Sequence, residues 1–246
     1  MTEQKHRNPP IAEAILDLRV ELSQEISTES LKLFHEGIKK EFPDSEEIFR
    51  FEGGFQFAKG GPSGVQQTHQ HIGYSYKPQD NTKVVQVRTD GFTFNKLRPY
   101  EGWDSLQPQA QALWDRYFEI AKPKRIIRLA LRYINRISLP TTMGNLSEYL
   151  QTKPHVSSEV PQNLEGYFMR LMVSDKQSDS KAFIVQMTEN PTDEATVPFI
   201  LDIDAFHMVD LTENSKKIWD VFLQLRHFKN QMFDGSFTKR GLELFS

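Results

Sequence analysis

Apolar and polar residues alternate near the start of the chain, where every even-numbered residue from 14 to 22 is apolar and residues 13, 17, 19 and 21 are charged. A period of two is typical of a strand that buries one of its faces. The pattern therefore predicts that the chain begins, after the extended Asn8-Pro9-Pro10 segment, with a half-buried β-strand.

The rest of the first half is predicted to contain two helices and four strands. Ser27 or Thr28 can cap a first helix that extends to Phe42, because apolar residues recur there at helical spacing and a proline follows. A second helix is predicted over residues 103–121 for the same reason. Between the helices, strands are predicted over residues 49–57, 69–77, 83–89 and 92–97, with a glycine-rich hairpin loop over residues 59–67.

The second half repeats this order of elements at a nearly constant spacing. Leu16-Asp-Leu-Arg19 matches Leu129-Ala-Leu-Arg132 at an offset of 113 residues, and Asp90-Gly-Phe92 matches Asp204-Ala-Phe206 at 114. Strands are predicted over residues 125–137, 166–174 and 181–188, and helical segments over residues 145–150 and 214–233. Matches in one order at so similar an offset predict a tandem duplication. The alternative is two unrelated halves whose strands look alike.

This organisation predicts an α+β fold in which residues 1–122 and 123–246 each form a β-α-β(3-4)-α unit, the second followed by a C-terminal tail. The units are expected to form one continuous structural domain, whose antiparallel sheet carries its helices on one face. In element order they resemble the TATA-box-binding protein, which implies a saddle-like sheet. Because only element order is shared, the resemblance does not imply DNA binding.

The amino-acid composition limits the classes of protein to which this chain can belong. Hydrophobic residues make up 38% of the 246 residues and aromatic residues 11%, enough for a core rich in Phe. The chain has no cysteine, which excludes disulfides and thiolate sites and fits a reducing compartment. The sequence shows no pattern of a signal peptide or a membrane span, so a cytoplasmic location without membrane contact is expected. A net charge of −3 indicates no general attraction to nucleic acid or anionic lipid.

A line of arginines is the most informative local feature. Strand alternation over residues 125–137 places Arg128, Arg132 and Arg136 on one face, about 13 Å apart at ~3.3 Å per residue, and Ile127 on the other face with the core residues. Together with Arg88 on another strand, these guanidiniums could contact phosphates or hold an anionic ligand.

Acidic residues on neighbouring strands offer a different interpretation of the same line. Asp17, Glu21, Asp202 and Asp204 could neutralise the arginines in cross-strand ion pairs, which would make the charges structural. Asp202 and Asp204 also share one face at positions i and i+2, so they could serve metal binding or acid–base chemistry. Pairing with Arg132 is the interpretation that we favour for them.

Metal binding and catalysis find little support in the sequence. His69 and His71 share one face of a strand and could form half of a divalent metal site, but the third ligand would have to come from His207 or an acid elsewhere in the chain. The sequence contains no Gly-x-Ser-x-Gly, His-Glu-x-x-His, P-loop or dinucleotide motif. We therefore predict no cofactor, and a protein that is not an enzyme.

Three stretches resemble a sporadically distributed, uncharacterised prokaryotic protein family of about this length. They are Asn8-Pro-Pro-Ile-Ala-Glu-Ala14, Leu131-Arg-Tyr-Ile-Asn-Arg-Ile137 and the ending Phe233-Asp-Gly-Ser-Phe-Thr-Lys-Arg-Gly-Leu-Glu-Leu-Phe245. The resemblance spans nearly the whole chain and implies no site residue or cofactor. The patchy distribution of the family implies a prokaryotic defence or mobile-element context.

The expected function is that of a binding or regulatory module. Its open sheet face, lined by Arg88, Arg128, Arg132, Arg136, Asp202 and Asp204, is expected to recognise a protein partner or a second copy of the chain, because its charges are mixed. A nucleic acid or nucleotide is the alternative ligand, and an enzyme acting on a phosphorylated substrate is the third possibility. The apolar tail after Phe237 either packs on the body or docks on a partner.

Overall fold

A single antiparallel sheet forms the body of the protein. The structure is a computed structural model that describes residues 6–58, 61–140, 146–161, 164–189 and 195–246, and it describes the backbone alone over residues 52–58 and 61–68. The strands are β1 (Ile11–Glu21), β2 (Asp44–Ala58), β3 (Gly61–Lys77), β4 (Lys83–Arg88), β5 (Gly91–Leu97), β6 (Arg125–Pro140), β7 (Phe168–Asp175), β8 (Ser180–Thr188) and β9 (Thr196–Leu211).

Two long helices and three short ones complete the described secondary structure, with a 3-10 turn at Leu146–Glu148. The helices are α1 (Thr28–Leu31), α2 (Leu33–Ile38), α3 (Trp103–Ala121), α4 (Lys216–Ser236) and α5 (Lys239–Glu243). None of the helices in the described residues is long and apolar enough to cross a bilayer.

The strand order places the first strand of each half at the middle of the sheet. The order is β2-β3-β4-β5-β1-β6-β9-β8-β7, and every neighbouring pair is antiparallel. β1 pairs with β6 so that Leu16 lies opposite Leu131 and Asp17 lies opposite Ala130. The two halves therefore share one backbone ladder.

The core lies between the sheet and its helices. The even-numbered residues 14 to 20 of β1 are buried, and they pack with Phe34 of α2, Trp114 of α3 and Phe222 of α4 in one apolar cluster. A second cluster joins the far ends of β6 and β9 to α4 and α5. The first cluster includes residues of both halves, so the halves bury one core together.

The pattern of alternation predicted most elements correctly. The first strand, the helix over residues 103–121 and the closing helix occur within about three residues of the predicted bounds, as boundary uncertainty allows. The α+β class and the antiparallel sheet are also confirmed. The first helix is shorter than predicted, since α1 and α2 end at Ile38 and residue 42 is reached through a turn.

Three local predictions were wrong. Of the predicted loop over residues 59–67, residues 59 and 60 lie outside the described residues, and residues 61–67 form the start of β3 because backbone pairing with β2 outweighs their turn-forming composition. The predicted helical segment over residues 145–150 contains only the 3-10 turn, and residue 145 lies outside the described residues. A β-bulge between Ile126 and Arg128 places Ile126, not Ile127, in the core.

The C-terminal tail packs on the body, which is the first of the two predicted alternatives. Phe237 and Phe245 are buried against Phe233 in the second cluster. The backbone of Asn8 donates to the carbonyl of Phe245 at 3.1 Å, so the tail also holds the segment that leads into β1.

Candidate binding face

One face of the sheet carries the helices, and in the described part of the chain no helix covers the other face. We call this second face the open face. Strand alternation directs Asp17 of β1, Asp204 of β9 and Phe183 of β8 to it, because their sequence neighbours point into the core. Arg128 of β6 lies on the same face, since it donates to both aspartates. The open face is charged around β1 and β6 and apolar towards β7.

Asp17 lies at the centre of the charged part. Its carboxylate accepts hydrogen bonds from Arg19 at 3.1 Å, Arg88 at 3.1 Å, Arg128 at 3.3 Å and the Thr93 hydroxyl at 2.9 Å. The Asp17 side chain is only 14% exposed. Because these donors come from β4, β5 and β6 as well as from β1, one carboxylate connects four adjacent strands.

Two further carboxylates extend these contacts into a network. Asp90, in the β4–β5 turn, accepts from Arg19, Arg50 and Arg88 at 2.8, 2.5 and 3.1 Å. Asp204 accepts from Arg128 at 3.0 Å. The arginine–carboxylate network thus consists of Arg19, Arg50, Arg88, Arg128, Asp17, Asp90 and Asp204. Four positive and three negative groups leave it nearly neutral.

The other predicted arginines are also paired. Arg132 donates two parallel hydrogen bonds to Asp202, at 2.8 and 2.6 Å, and Arg136 contacts Glu189 at 2.7 Å. The predicted line of arginines therefore exists on the open face, and each of its members already holds a carboxylate. This geometry agrees with the structural interpretation of the charges, since two-point Arg–carboxylate pairs satisfy both partners.

Burial and hydrogen bonding shift two of these groups in pKa. Burial raises the pKa of the Asp204 carboxyl above its usual range, although Arg128 and Arg132 oppose the shift. The hydrogen bonds to Asp202 raise the pKa of Arg132 beyond its ordinary value. Arg132 is thus positively charged at any physiological pH, and Asp204 is the carboxyl of this face whose protonation the surroundings favour.

In the described ranges, no third ligand joins the candidate metal pair His69 and His71. The His71 ring contacts the carbonyl of Gly73 at 3.0 Å and the ring of Phe49, and the His69 ring packs on Phe51. His207 belongs to β9, on the other side of the sheet order from β3. Within the described residues no group of three His, Asp or Glu side chains could hold a metal ion.

The apolar part of the open face was missed by the sequence reasoning. Phe168 and Met172 of β7 and Met208 of β9 are 68%, 59% and 55% exposed. Between them, Phe183 stacks on Phe206 with ring centroids 5.6 Å apart. We call these five residues the apolar patch. The signal was present in the sequence, because residues 168–173 and 182–185 are apolar on both strand faces, with Arg170 the one exception.

Arginines cover both ends of this aromatic stack. The Arg170 guanidinium lies 3.9 Å from the ring centroid of Phe183, and that of Arg128 lies 4.6 Å from the ring centroid of Phe206. Arg128 also belongs to the network. In contrast, neither Arg170 nor Lys181 forms an ion pair with any described residue. Among the described residues of the open face, Arg170 on β7 and Lys181 on β8 are thus cations without a carboxylate, whereas the predicted arginine line is paired.

A cavity lies on the helix side of the sheet. It has a volume of about 390 Å³ and is bordered by Tyr100, Trp103, Tyr133 and Lys229, and the Lys229 amine lies 4.0 Å from the ring centroid of Tyr133. Tyr133 and Tyr100 share a hydrogen bond of 2.7 Å. Residues 8–14 and 131–137 meet beside it, since the backbone of Arg136 donates to the carbonyl of Pro10 at 2.9 Å.

Neither the available models of protein families nor the curated proteins contain a match to this chain. The geometry described above is therefore the basis for any functional conclusion.

Proposed function

We propose that the protein is a non-enzymatic binding module and that its open face recognises another protein chain. The observation that carries this proposal is the apolar patch, whose Phe168, Met172 and Met208 are more than half exposed on a face without described helices. Several large apolar side chains exposed on one face of a sheet are typical of protein interaction sites, because a partner can remove them from water.

The charges that border the patch support a protein partner over a nucleic acid. Binding to a polyanion depends on cations that can neutralise phosphates. Arg88, Arg128, Arg132 and Arg136 each contact a carboxylate instead, so a phosphate would have to displace an existing pair. At the edge of an interface, such paired charges contribute orientation and specificity. Nucleic-acid or nucleotide binding remains the alternative proposal, and an enzyme the third.

The experiment compares the partners retained by three tagged forms of the chain in the organism that encodes it. Phe168→Asp with Met172→Asp places two charges in the patch, and Leu33→Asp is the matched control because Leu33 is 53% exposed on α2, on the helix side. We expect a protein partner that the wild type and the control retain and the patch variant loses.

Two results would overturn the proposal. One is equal retention of the protein partner by all three forms. The other is that the wild type retains nucleic acid and no protein, that the patch variant still retains the nucleic acid, and that an Arg132→Glu variant loses it. Thermal unfolding of each form is measured in parallel, since the substituted side chains are exposed and are not expected to change stability by more than about 0.5 kcal/mol.

We infer that the two halves arose by tandem duplication. The strand order supports this, because β1 and β6 pair at the centre and each half continues outward with its last strand next, β5 on one side and β9 on the other. Leu18 lies opposite Phe92 and Leu131 lies opposite Ala205, which retains the offset of 113. In this register the match of Phe92 to Phe206 does not hold, because those two rings lie on opposite faces.

The remaining parts of the proposal rest on features of the sequence. The saddle-like bend follows from the element order shared with the TATA-box-binding protein. The cytoplasmic location rests on the cysteine-free composition, and the prokaryotic defence context rests on the family resemblance alone. Small-angle scattering of the purified chain and fractionation of the cells that make it would test the first two.

A further inference from the structure

β7 is an edge strand of the sheet. Its residues pair with β8 on one side, from Phe168 opposite Met187 to Asp175 opposite Ser180. On its other side, no backbone hydrogen bond joins it to another described residue. The outward N–H and C=O groups of an edge strand are a template for another extended chain.

β7 has few of the charged side chains that prevent such pairing. Natural edge strands are commonly protected by charges. The opposite edge follows this rule, since β2 begins with Asp44, Glu46 and Glu47. β7 has the sequence Phe-Met-Arg-Leu-Met-Val-Ser-Asp, in which Arg170 is the one charged residue before the terminal Asp175.

The open-face side of β7 defines the chemistry of what could pair with it. Phe168, Arg170, Met172 and Ser174 alternate along this side and are exposed. A strand laid beside them would place apolar side chains next to Phe168 and Met172 and one side chain next to Arg170. Since Arg170 forms no ion pair with a described residue, an acidic side chain at that position would complete one.

A second copy of the chain does not supply that acid. If two copies paired through β7 with Leu171 opposite itself, Arg170 would lie opposite Met172 of the second copy. Asp175 belongs to the other face by strand alternation, and its carboxylate accepts hydrogen bonds from the Ser178 hydroxyl and the Gln177 backbone. Because a second copy offers no carboxylate to Arg170, charge complementarity favours a partner of different sequence at β7.

We propose that β7 binds an extended acidic–apolar segment of a partner protein as a tenth, antiparallel strand, with a carboxylate on Arg170 and apolar side chains on Phe168 and Met172. This inference rests on the proposed function, and it adds the mode of binding and the character of the partner.

The test uses the full chain and two synthetic peptides as probes. The first, acetylated and amidated Thr-Val-Thr-Glu-Thr-Val-Thr, presents two valines and a central glutamate on one side. The second has lysine in place of glutamate. Hydrogen exchange of backbone amides is followed residue by residue at peptide concentrations up to about 1 mM. At ten times its Kd, the glutamate peptide should slow exchange of the outward β7 amides by about tenfold, and the lysine peptide should not.

Reversing the charge at Arg170 tests whether this charge determines which peptide binds. In the variant Arg170→Glu we expect the preference to reverse, so that the lysine peptide binds about tenfold more tightly than the glutamate peptide. The substituted side chain lies on the open face, outside the core clusters. A variant that keeps the wild-type preference would overturn the proposed recognition.

The remaining outcomes separate this inference from the proposed function. Protection at β2, whose Phe49 and Phe51 are also exposed, would contradict binding at β7, as would a lack of binding at the highest concentration. If the β7 amides stay unprotected while Phe168→Asp with Met172→Asp still loses the cellular partner, the mode is wrong and the proposed function stands. Protection of β7 by protein concentration alone, without peptide, would assign the edge to a second copy.

Discussion

The guanidinium of Arg128, on the first strand of the second half, donates to the carboxylate of Asp17, on the first strand of the first half, at 3.3 Å. The contact crosses the central β1–β6 pair, where Arg19 lies opposite Arg128. Two guanidiniums placed opposite each other would repel, and Asp17 holds both of them. Asp17 is therefore the carboxylate that both guanidiniums share across the central pair of strands.

We expect Asp17→Asn to be the most destabilising single change on the open face. The substitution leaves Arg19, Arg88 and Arg128 with one fewer charge partner in a largely buried position, which should cost about 3 kcal/mol in the free energy of unfolding. The control is Asp210→Asn, because Asp210 is exposed and lies 3.6 Å from Arg125. Urea unfolding gives both values, and losses of similar size would contradict the central role of Asp17.

The raised pKa of Asp204 predicts a pH dependence of stability with a defined sign. The folded protein holds this proton more tightly than the unfolded chain, so the added stability is fully present below the ordinary pKa of 3.8 and is lost as pH rises through the folded pKa. The unfolding free energy of the wild type minus that of Asp204→Asn should therefore fall as pH rises through that window. An NMR titration of Asp204 with a midpoint at or below 3.8 would refute the assignment.

A hydrogen bond between the halves is expected to stabilise the helix layer. The indole N–H of Trp114, on α3, donates to the Asn214 side chain just before α4 at 3.0 Å. Trp114 is fully buried, so Asn214→Leu should leave this donor without an acceptor and cost about 1–3 kcal/mol. In a Trp114→Phe background the same substitution should cost clearly less, as measured by thermal or urea unfolding. Equal costs in both backgrounds would show that the bond contributes nothing.

Two glycines should respond in opposite directions to substitution by alanine. A Cβ on Gly91 would lie 2.4 Å from the backbone oxygen of Leu18, so Gly91→Ala must displace the β1–β5 ladder and should destabilise the fold by about 2 kcal/mol or more. A Cβ on Gly235, in α4, meets nothing within 4 Å. Gly235→Ala should therefore stabilise by about 0.5–1 kcal/mol, and a shift of both melting temperatures in one direction would be inconsistent with this packing.

Short-range patterns were sufficient for the elements that depend on them. The alternation over residues 13–22 and the apolar stripe over residues 103–121 predicted β1 and α3, because strand and helix periods are properties of neighbouring residues. They failed at residues 61–67, where the backbone pairing with β2 determines the conformation. The register of β1 on β6, which brings Asp17 to Arg128, depends on residues more than a hundred positions apart.

By itself, the sequence determined which residues of this protein share a face: Arg128, Arg132 and Arg136 on one side of their strand, and the core residues on the other. Only the tertiary structure decided what those side chains meet, because pairing of distant strands placed Asp17, Asp202 and Asp204 beside the arginines and left Phe168 and Met172 exposed at an edge. A carboxylate neutralises a guanidinium only at contact distance, and contact across a sheet is set by strand order and register.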